Sequence, residues 1–173
     1  MLVDMKGHAL TLSADAGSEK VKTVGVMADA KNLKFINGKA DSPVHITATT
    51  GGEAAGIMTR NRGTVSMTHD IVIDKVEGAQ MAAGVKTTNP GDKISIKSLK
   101  VDQSVKATKD TMQQGAVGIH AGGNGADDDA RFVVGSMDHL TITDINAGMV
   151  GVNHNIAGLR IGHTGPTHEV DRG

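Results

Sequence analysis

The chain has 173 residues and a formal net charge of −1, with 18 basic and 19 acidic side chains spread along it. This length fits a single domain, and the dispersed charge argues against a nucleic-acid-binding protein because no Lys/Arg block could follow a phosphate backbone. The lack of cysteine excludes disulfides and thiol catalysis, and the lack of an apolar run of about 18 residues argues against membrane insertion.

One short motif recurs along the chain, and it consists of a small or branched apolar residue, then Gly, then Val or Ile. Its copies are Val24-Gly25-Val26, Ala55-Gly56-Ile57, Ala83-Gly84-Val85, Val117-Gly118-Ile119 and Val150-Gly151-Val152. Successive motif glycines are 31, 28, 34 and 33 residues apart. We therefore predict repeats that begin near residues 25, 56, 84, 118 and 151, after a partial repeat of residues 1–24.

Apolar residues at alternate positions follow each motif, as is typical of strands that bury one face. The first such pairs are Leu33/Phe35, Val65/Met67, Ile94/Ile96, Phe132/Val134 and Leu159/Ile161. A second pair follows as Val44/Ile46, Ile71/Ile73, Leu99/Val101 and Leu140/Ile142, and Leu10/Leu12 fits the last strand of the partial repeat. Each repeat is therefore predicted to hold three short strands separated by Gly-, Asn- and Asp-rich turns.

Three strands in each repeat of 28–34 residues predict an all-β fold, a right-handed parallel β-helix of about five coils, in one domain spanning residues 1–173. With 1% aromatic residues, its core must be narrow and filled by aliphatic side chains. The motif glycine suits a place where the backbone bends or where two backbones approach closely. Residues 103–114 are interpreted as a longer loop off the stack.

Neither end of the predicted stack has an obvious capping helix, and uncapped strand edges favour pairing with other strands. We therefore expect this chain to be a segment of a longer solenoid or to associate end to end with other copies of itself.

A candidate metal site lies in the loop after the fourth motif. Gly122-Gly123-Asn124-Gly125-Ala126-Asp127 matches the first six positions of the calcium-binding nonapeptide of repeats-in-toxin proteins. Asp129 then stands where that pattern has an inward apolar residue, and the pattern occurs once. Asp127, Asp128 and Asp129 are predicted as calcium ligands, with a solvated acidic loop as the alternative; no other cofactor is predicted.

Other polar residues are interpreted as solvated. His45 alternates with inward residues and should point outward, and His69 lies in a bend before a strand. The positions of Asp74, Asp102 and Asp144 predict a loose acidic stripe along one side of the stack. No Gly-x-Ser-x-Gly elbow, phosphate-binding Gly-rich loop or His-Glu-x-x-His motif occurs, so no catalytic residue is predicted.

The loosely periodic coils, the cysteine-free composition, the Thr/Ser-rich strands and the sparse aromatics resemble the β-helical passenger region of bacterial autotransporters and large surface adhesins. This resemblance implies a non-catalytic structural or adhesive rod, displayed at the bacterial surface or secreted, with a host-surface or glycan ligand as partner. It carries over no functional residue.

Pectin-lyase-like enzymes share the fold class and supply the alternative function, a polysaccharide lyase or glycoside hydrolase. Their polygalacturonase motifs are matched only in part, by Arg160-Ile161-Gly162-His163 and the Asp127–Asp129 loop. A self-stacking filament or spacer subunit is the third interpretation.

Overall fold

The computed structural model describes residues 1–89, 91–102, 105–108, 115–121, 131–134, 140–143 and 156–161. These residues form strands and turns and no helix, so the described part of the chain holds no helix that is long and apolar enough to cross a membrane. The strands are β1 (Leu2–Asp4), β2 (Thr11–Asp15), β3 (Lys22–Asp29), β4 (Asn32–Ile36), β5 (Val44–Arg60), β6 (Thr64–Thr87), β7 (Lys93–Asp102), β8 (Val105–Ala107), β9 (Ala116–Ala121), β10 (Arg131–Val134), β11 (Leu140–Thr143) and β12 (Ile156–Ile161).

All pairings between these strands are parallel, and the strands stack in three columns. The chain winds through about four turns between the first and last strand of each column, which is the architecture of a β-solenoid. The predicted all-β, parallel, coil-by-coil fold is confirmed.

The first column holds β1, β4, the start of β6, the start of β7 and β10. Leu33 lies opposite Val65, Val65 opposite Ile94, and Ile94 opposite Phe132. The sequence alternation therefore predicted both the strands and their register for these coils.

The second column holds β2, the start of β5, the middle of β6, the end of β7, β8 and β11. Leu12 lies opposite Ile46, Ile46 opposite Ile73, Ile73 opposite Val101, and Val101 opposite Ile142. The prediction that Leu10 and Leu12 lie in the last strand before the first motif-bearing strand is confirmed for Leu12, whereas Leu10 precedes β2.

The third column holds the repeated motif and is called the glycine column here. It consists of β3, residues 53–60 of β5, residues 81–87 of β6, β9 and β12. Val24 lies opposite Ala55 and Ala55 opposite Ala83, which places Gly25, Gly56 and Gly84 at one register position.

The hydrophobic core lies between the three columns, and the predicted inward residues fill it. Each of the following is 5% exposed or less: Phe35, Val44, Ile46, Val65, Met67, Ile71, Ile73, Ile94, Ile96, Leu99 and Val101. Leu10, Leu12 and Leu33 are partly buried against this core. Aliphatic side chains thus form successive layers along the stack, as the near absence of aromatics required.

Two local predictions were wrong. Within residues 103–114, Val105–Ala107 is not a loop: it forms β8 beside residues 76–78, and Val105 and Ala107 are 1% and 0% exposed. The two inward side chains are two residues apart, which is too short a run for alternation to stand out. Leu159 and Ile161 belong to the glycine column opposite Ile119 and Ala121, and not to the first column.

The second error came from the choice of glycine. β12 carries Ala157-Gly158-Leu159, which pairs with the fourth motif, whereas the predicted fifth motif, Val150-Gly151-Val152, lies outside the described residues. Gly158 is 40 residues after Gly118, so a period of about 30 residues predicts the nearer glycine, Gly151.

Candidate functional site

β6 bends within the glycine column, between Met81 and Lys86. The Nζ atom of Lys86 lies 3.2 Å from Sδ of Met81, five residues earlier in β6. Five residues of a straight strand span about 16 Å, so β6 must bend within the segment from Met81 to Lys86, which contains Gly84, for these side chains to meet.

Close backbone packing explains why glycine occupies the bend. A Cβ atom added to Gly56 would lie 2.6 Å from the carbonyl oxygen of Gly84 and 2.6 Å from Cδ1 of Ile73. A Cβ on Gly84 would lie equally close, 2.6 Å, to the carbonyl oxygen of Gly118. Carbon–oxygen contacts are ordinarily about 3.3 Å or longer. The prediction that the motif glycine suits a place where two backbones approach closely is confirmed.

An ion-pair cluster lies inside the bend. Glu53 binds Lys22 of the preceding coil, with Nζ 2.5 Å from Oε2, and Lys86 of the next coil, with Nζ 2.6 Å from Oε1. The Lys22 side chain is 54% exposed, whereas those of Glu53 and Lys86 are 14% and 9% exposed. Burial alone would raise the pKa of Glu53, but Lys86 and Lys22 outweigh burial through charge and hydrogen bonds and lower that pKa below its ordinary value.

A second ion pair lies beyond the bend, where the column ends. Arg60 Nη2 lies 2.6 Å from Asp29 Oδ2. The side-chain Nδ2–H of Asn61 donates to Asp29 Oδ1 over 2.7 Å. The hydrogen bonds from Arg60 and Asn61 lower the pKa of Asp29, and Asp29 in turn raises the pKa of Arg60. The Arg60 Nε atom is buried and has no hydrogen-bond partner among the described residues.

The turns that follow the glycine column in two successive coils contribute Asn61, Thr88 and Asn89 to one wall of a cavity. The backbone N–H of Asn61 donates to Asn89 Oδ1 over 3.0 Å, which joins the turns of two successive coils. The hydroxyl of Thr88 donates to the carbonyl oxygen of Thr59 over 2.9 Å. Side-chain amides and a hydroxyl therefore stand beside the cationic groups.

These elements line a cavity of about 290 Å³ that is open to solvent, and we call it the basic groove. Its lining residues are Lys22, Met58, Arg60, Asn61, Lys86, Thr88 and Asn89, and they come from three neighbouring coils. Met58 is 1% exposed and forms an apolar part of the lining. The groove can therefore offer positive charge, hydrogen bonds and a small apolar surface to a bound molecule.

Sequence reasoning did not single out these groove residues, although the motif glycine gives a usable frame. Lys22 and Glu53 each lie three residues before a motif glycine, and Asp29 and Arg60 each lie four residues after one. Both pairs occupy matching register positions, so opposite charges at equal offsets in consecutive repeats would have predicted both ion pairs.

The predicted calcium ligands Asp127, Asp128 and Asp129 lie outside the described residues, so their role stays a prediction. Within the described residues, no three His, Asp or Glu side chains are close enough together to hold a metal ion.

His45 points outward as predicted, since its side chain is 41% exposed. Its Nδ1 atom lies 2.9 Å from Oδ2 of Asp74, a member of the predicted acidic stripe. His69 packs against the turn at Gly38, where an added Cβ would collide with its ring. These contacts give His45 and His69 local structural roles on two different surfaces of the stack.

Comparisons of the sequence and of the structure with known proteins find no matching family model, no similar curated protein and no similar solved structure.

Proposed function

We propose that this chain is a non-catalytic structural and adhesive β-solenoid that acts outside the cell and contacts its ligand through the basic groove. The observation that carries the proposal is the groove itself, which spans three coils and combines Lys22, Arg60 and Lys86 with hydrogen-bonding side chains. A stack in which each coil packs on the next supplies a rigid support for such a surface.

The state of Glu53 and Asp29, the two carboxylates that pair with groove cations, favours binding over hydrolysis. A glycoside hydrolase needs a carboxylic acid that stays protonated near neutral pH, which requires a raised pKa. The pKa values of Glu53 and Asp29 are both lowered by the cations they bind. At neutral pH these carboxylates therefore hold cations in place and do not serve as proton donors.

The extracellular and adhesive parts of the proposal come from the resemblance to autotransporter passengers and surface adhesins. The parallel stack agrees with that resemblance at the level of fold, and fold alone does not decide function. A host-surface molecule or a glycan is the partner that this proposal assigns to the groove.

A binding screen tests the proposal. Wild-type protein and a Lys22→Gln variant are applied to immobilised glycans and to fixed host cells, with Lys75→Gln as the control. Lys75 matches Lys22 because it is 53% exposed and pairs with a glutamate, Glu77, at 3.0 Å, yet it does not line the groove. Binding that falls in the Lys22 variant alone supports the proposal, and wild-type protein that binds no surface contradicts it.

A polysaccharide lyase is the second candidate, and the concentration of basic groups in the groove favours it. Lyases remove a proton next to a carboxylate and require cations that stabilise the resulting charge. Incubation with acidic polysaccharides, with and without Ca²⁺, followed by measurement of unsaturated or reducing ends, tests this activity. Turnover that disappears in Arg60→Gln would replace the non-catalytic proposal by this one.

End-to-end association of copies is the third proposal, and the first coil favours it. Within the described residues, β1, β2 and β3 each pair on one edge only. Leu2, in β1, is 60% exposed, and Val21, directly before β3, is 49% exposed. Unpaired parallel edges with apolar neighbours favour strand addition. Sedimentation velocity at increasing concentration should show growing species that Leu2→Lys and Val21→Lys reduce; a monomer at all concentrations would contradict the proposal.

A further inference from the structure

We propose that the basic groove recognises an acidic saccharide, and that Lys22 and Arg60 bind its carboxylate or sulfate group. This inference rests on the proposed binding function and specifies the ligand class. It depends on four features of the described residues: the charge of the lining, its accessible hydrogen-bonding atoms, its lack of an aromatic ring and its size.

Among the described residues, the cavity lining includes three cationic side chains and no carboxylate. Lys22, Arg60 and Lys86 line it, whereas Glu53 and Asp29, which pair with them, are not among the lining residues. Glu53 is shared between Lys22 and Lys86. An anionic group that enters the groove therefore meets cations first and replaces water around partly exposed Lys22 and Arg60.

Accessible polar atoms lie beside these cations. Asn61 donates its side-chain N–H to Asp29, and its side-chain oxygen has no hydrogen-bond partner within the described residues. Asn89 accepts the backbone N–H of Asn61 on its side-chain oxygen, and its amide nitrogen likewise has no partner there. One acceptor and one donor are thus left for hydroxyl groups, which a saccharide has and a simple inorganic anion lacks.

A neutral saccharide fits this surface less well. Sugar-binding sites without charge generally use aromatic rings as apolar platforms, and Phe35, whose ring the structure describes, is 5% exposed in the core. Met58 is the apolar contribution of the described groove. Because the apolar area is small, the charge on the ligand must supply much of the binding free energy.

The size of the groove limits how much of the ligand is recognised. A cavity of about 290 Å³ lies at the lower end of the range of small-ligand sites, roughly 300–1,000 Å³. We infer that it holds one or two sugar units, either free or as part of a longer acidic chain that continues along the stack.

Isothermal titration calorimetry with trigalacturonate tests the inference, and its methyl ester serves as the neutral ligand of similar shape. A heparin-derived tetrasaccharide tests sulfate as the anionic group, and sodium sulfate tests an anion without sugar hydroxyls. The variants are Lys22→Gln and Arg60→Gln. Their controls are Lys75→Gln and Lys97→Gln; Lys97 is 43% exposed, as Arg60 is, and pairs with Asp70 at 3.2 Å.

The expected result is binding of trigalacturonate or the tetrasaccharide that weakens about tenfold in each groove variant, because each loses one charged hydrogen bond. The control variants should bind as the wild type does, and the methyl ester and sodium sulfate should bind at least tenfold more weakly. Equal weakening in groove and control variants would show diffuse charge attraction and overturn the inference.

Binding of the wild-type protein to different ligands distinguishes failure of this inference from failure of the proposed function. Wild-type protein that binds neutral glycans or cells, and neither acidic probe, overturns the acidic-saccharide inference while the adhesive proposal stands. Wild-type protein that binds no glycan, no cell and no acidic probe overturns both.

Discussion

Lys86 Nζ lies 2.6 Å from Glu53 Oε1, and this ion pair joins two successive coils inside the bend of the glycine column. Both side chains are largely buried, and Lys22 approaches the same carboxylate from a more exposed position. Removal of one partner from a buried pair leaves an uncompensated charge, which is far more costly than the loss of an exposed pair.

We expect Glu53→Ala to lower the free energy of unfolding by about 3 kcal/mol, because Lys86 loses its buried carboxylate partner. Lys22→Ala should cost less than about 1 kcal/mol, since Glu53 keeps Lys86 and Lys22 is largely in water. Urea unfolding followed by circular dichroism measures both values. Equal effects of the two substitutions would contradict the assigned burial of the pair.

The lowered pKa of Glu53 predicts a pH dependence of stability. A carboxyl whose pKa is lower in the folded state stabilises the fold at pH values above its ordinary pKa, 4.5 for Glu53. That contribution is lost as the pH falls below 4.5 toward the folded-state value. The difference in unfolding free energy between wild type and Glu53→Gln should therefore be largest near neutral pH and shrink in acid.

Comparison with Glu53→Gln is needed because other carboxyls titrate in the same range. Asp15, Asp29 and Asp70 also have lowered pKa values, and both proteins share them. A difference between the two proteins that grows as the pH falls would contradict the direction assigned to Glu53.

The glycine column predicts that a single methyl group destabilises the stack. In Gly56→Ala, the new Cβ meets the Gly84 carbonyl oxygen and the Ile73 side chain, both 2.6 Å away. Overpacking of this kind costs about 1–3 kcal/mol. Gly17→Asn is the matched control, because Gly17 has a positive φ of 60° and open space around it, and asparagine tolerates that conformation. Urea unfolding should show a change of at most about 0.5 kcal/mol for the control.

Much of the fold could be predicted from the sequence because the alternation of apolar residues reports directly on the core. The alternation recurs in consecutive coils, from Leu33 through Ile94 in the first column and from Val44 through Val101 in the second. It therefore predicts both the strands and the register in which they pair. The prediction failed at Val105–Ala107, where the alternation is short, and in the last coil, where Gly158 follows the preceding motif glycine at a longer interval.

The groove could not be read from alternation, since its residues lie on the outer surface, where the core imposes no pattern. Beside it, β6 bends between Met81 and Lys86, which brings these two side chains together across five residues of one strand. The ion pairs depend on register between repeats of unequal length. An alignment of the repeats on the motif glycine, with charges compared at each offset, supplies that register.

Asp92 is the residue through which the wall of the groove can be tested separately from its charges. Asp92 is 0% exposed, and its carboxylate accepts backbone N–H groups of Gly63, Thr88 and Asn89 at 3.1, 2.9 and 2.9 Å. An asparagine offers one acceptor oxygen in place of two, so Asp92→Asn leaves a buried donor facing an N–H group. We expect it to lower the unfolding free energy by about 1–3 kcal/mol.

Hydrogen exchange locates the effect of this substitution. The backbone amides of Thr88, Asn89 and Gly63 should exchange faster in Asp92→Asn. The exchange rate of core amides, such as that of Ile73, should change only as far as the global free energy of unfolding changes. Asp41→Asn is the control because Asp41 is exposed and has a positive φ of 58°, which asparagine accepts. Unchanged protection of the three amides would contradict the role of Asp92; their selective loss, together with weaker trigalacturonate binding, would show that the carboxylate holds Thr88 and Asn89 in place as the groove wall.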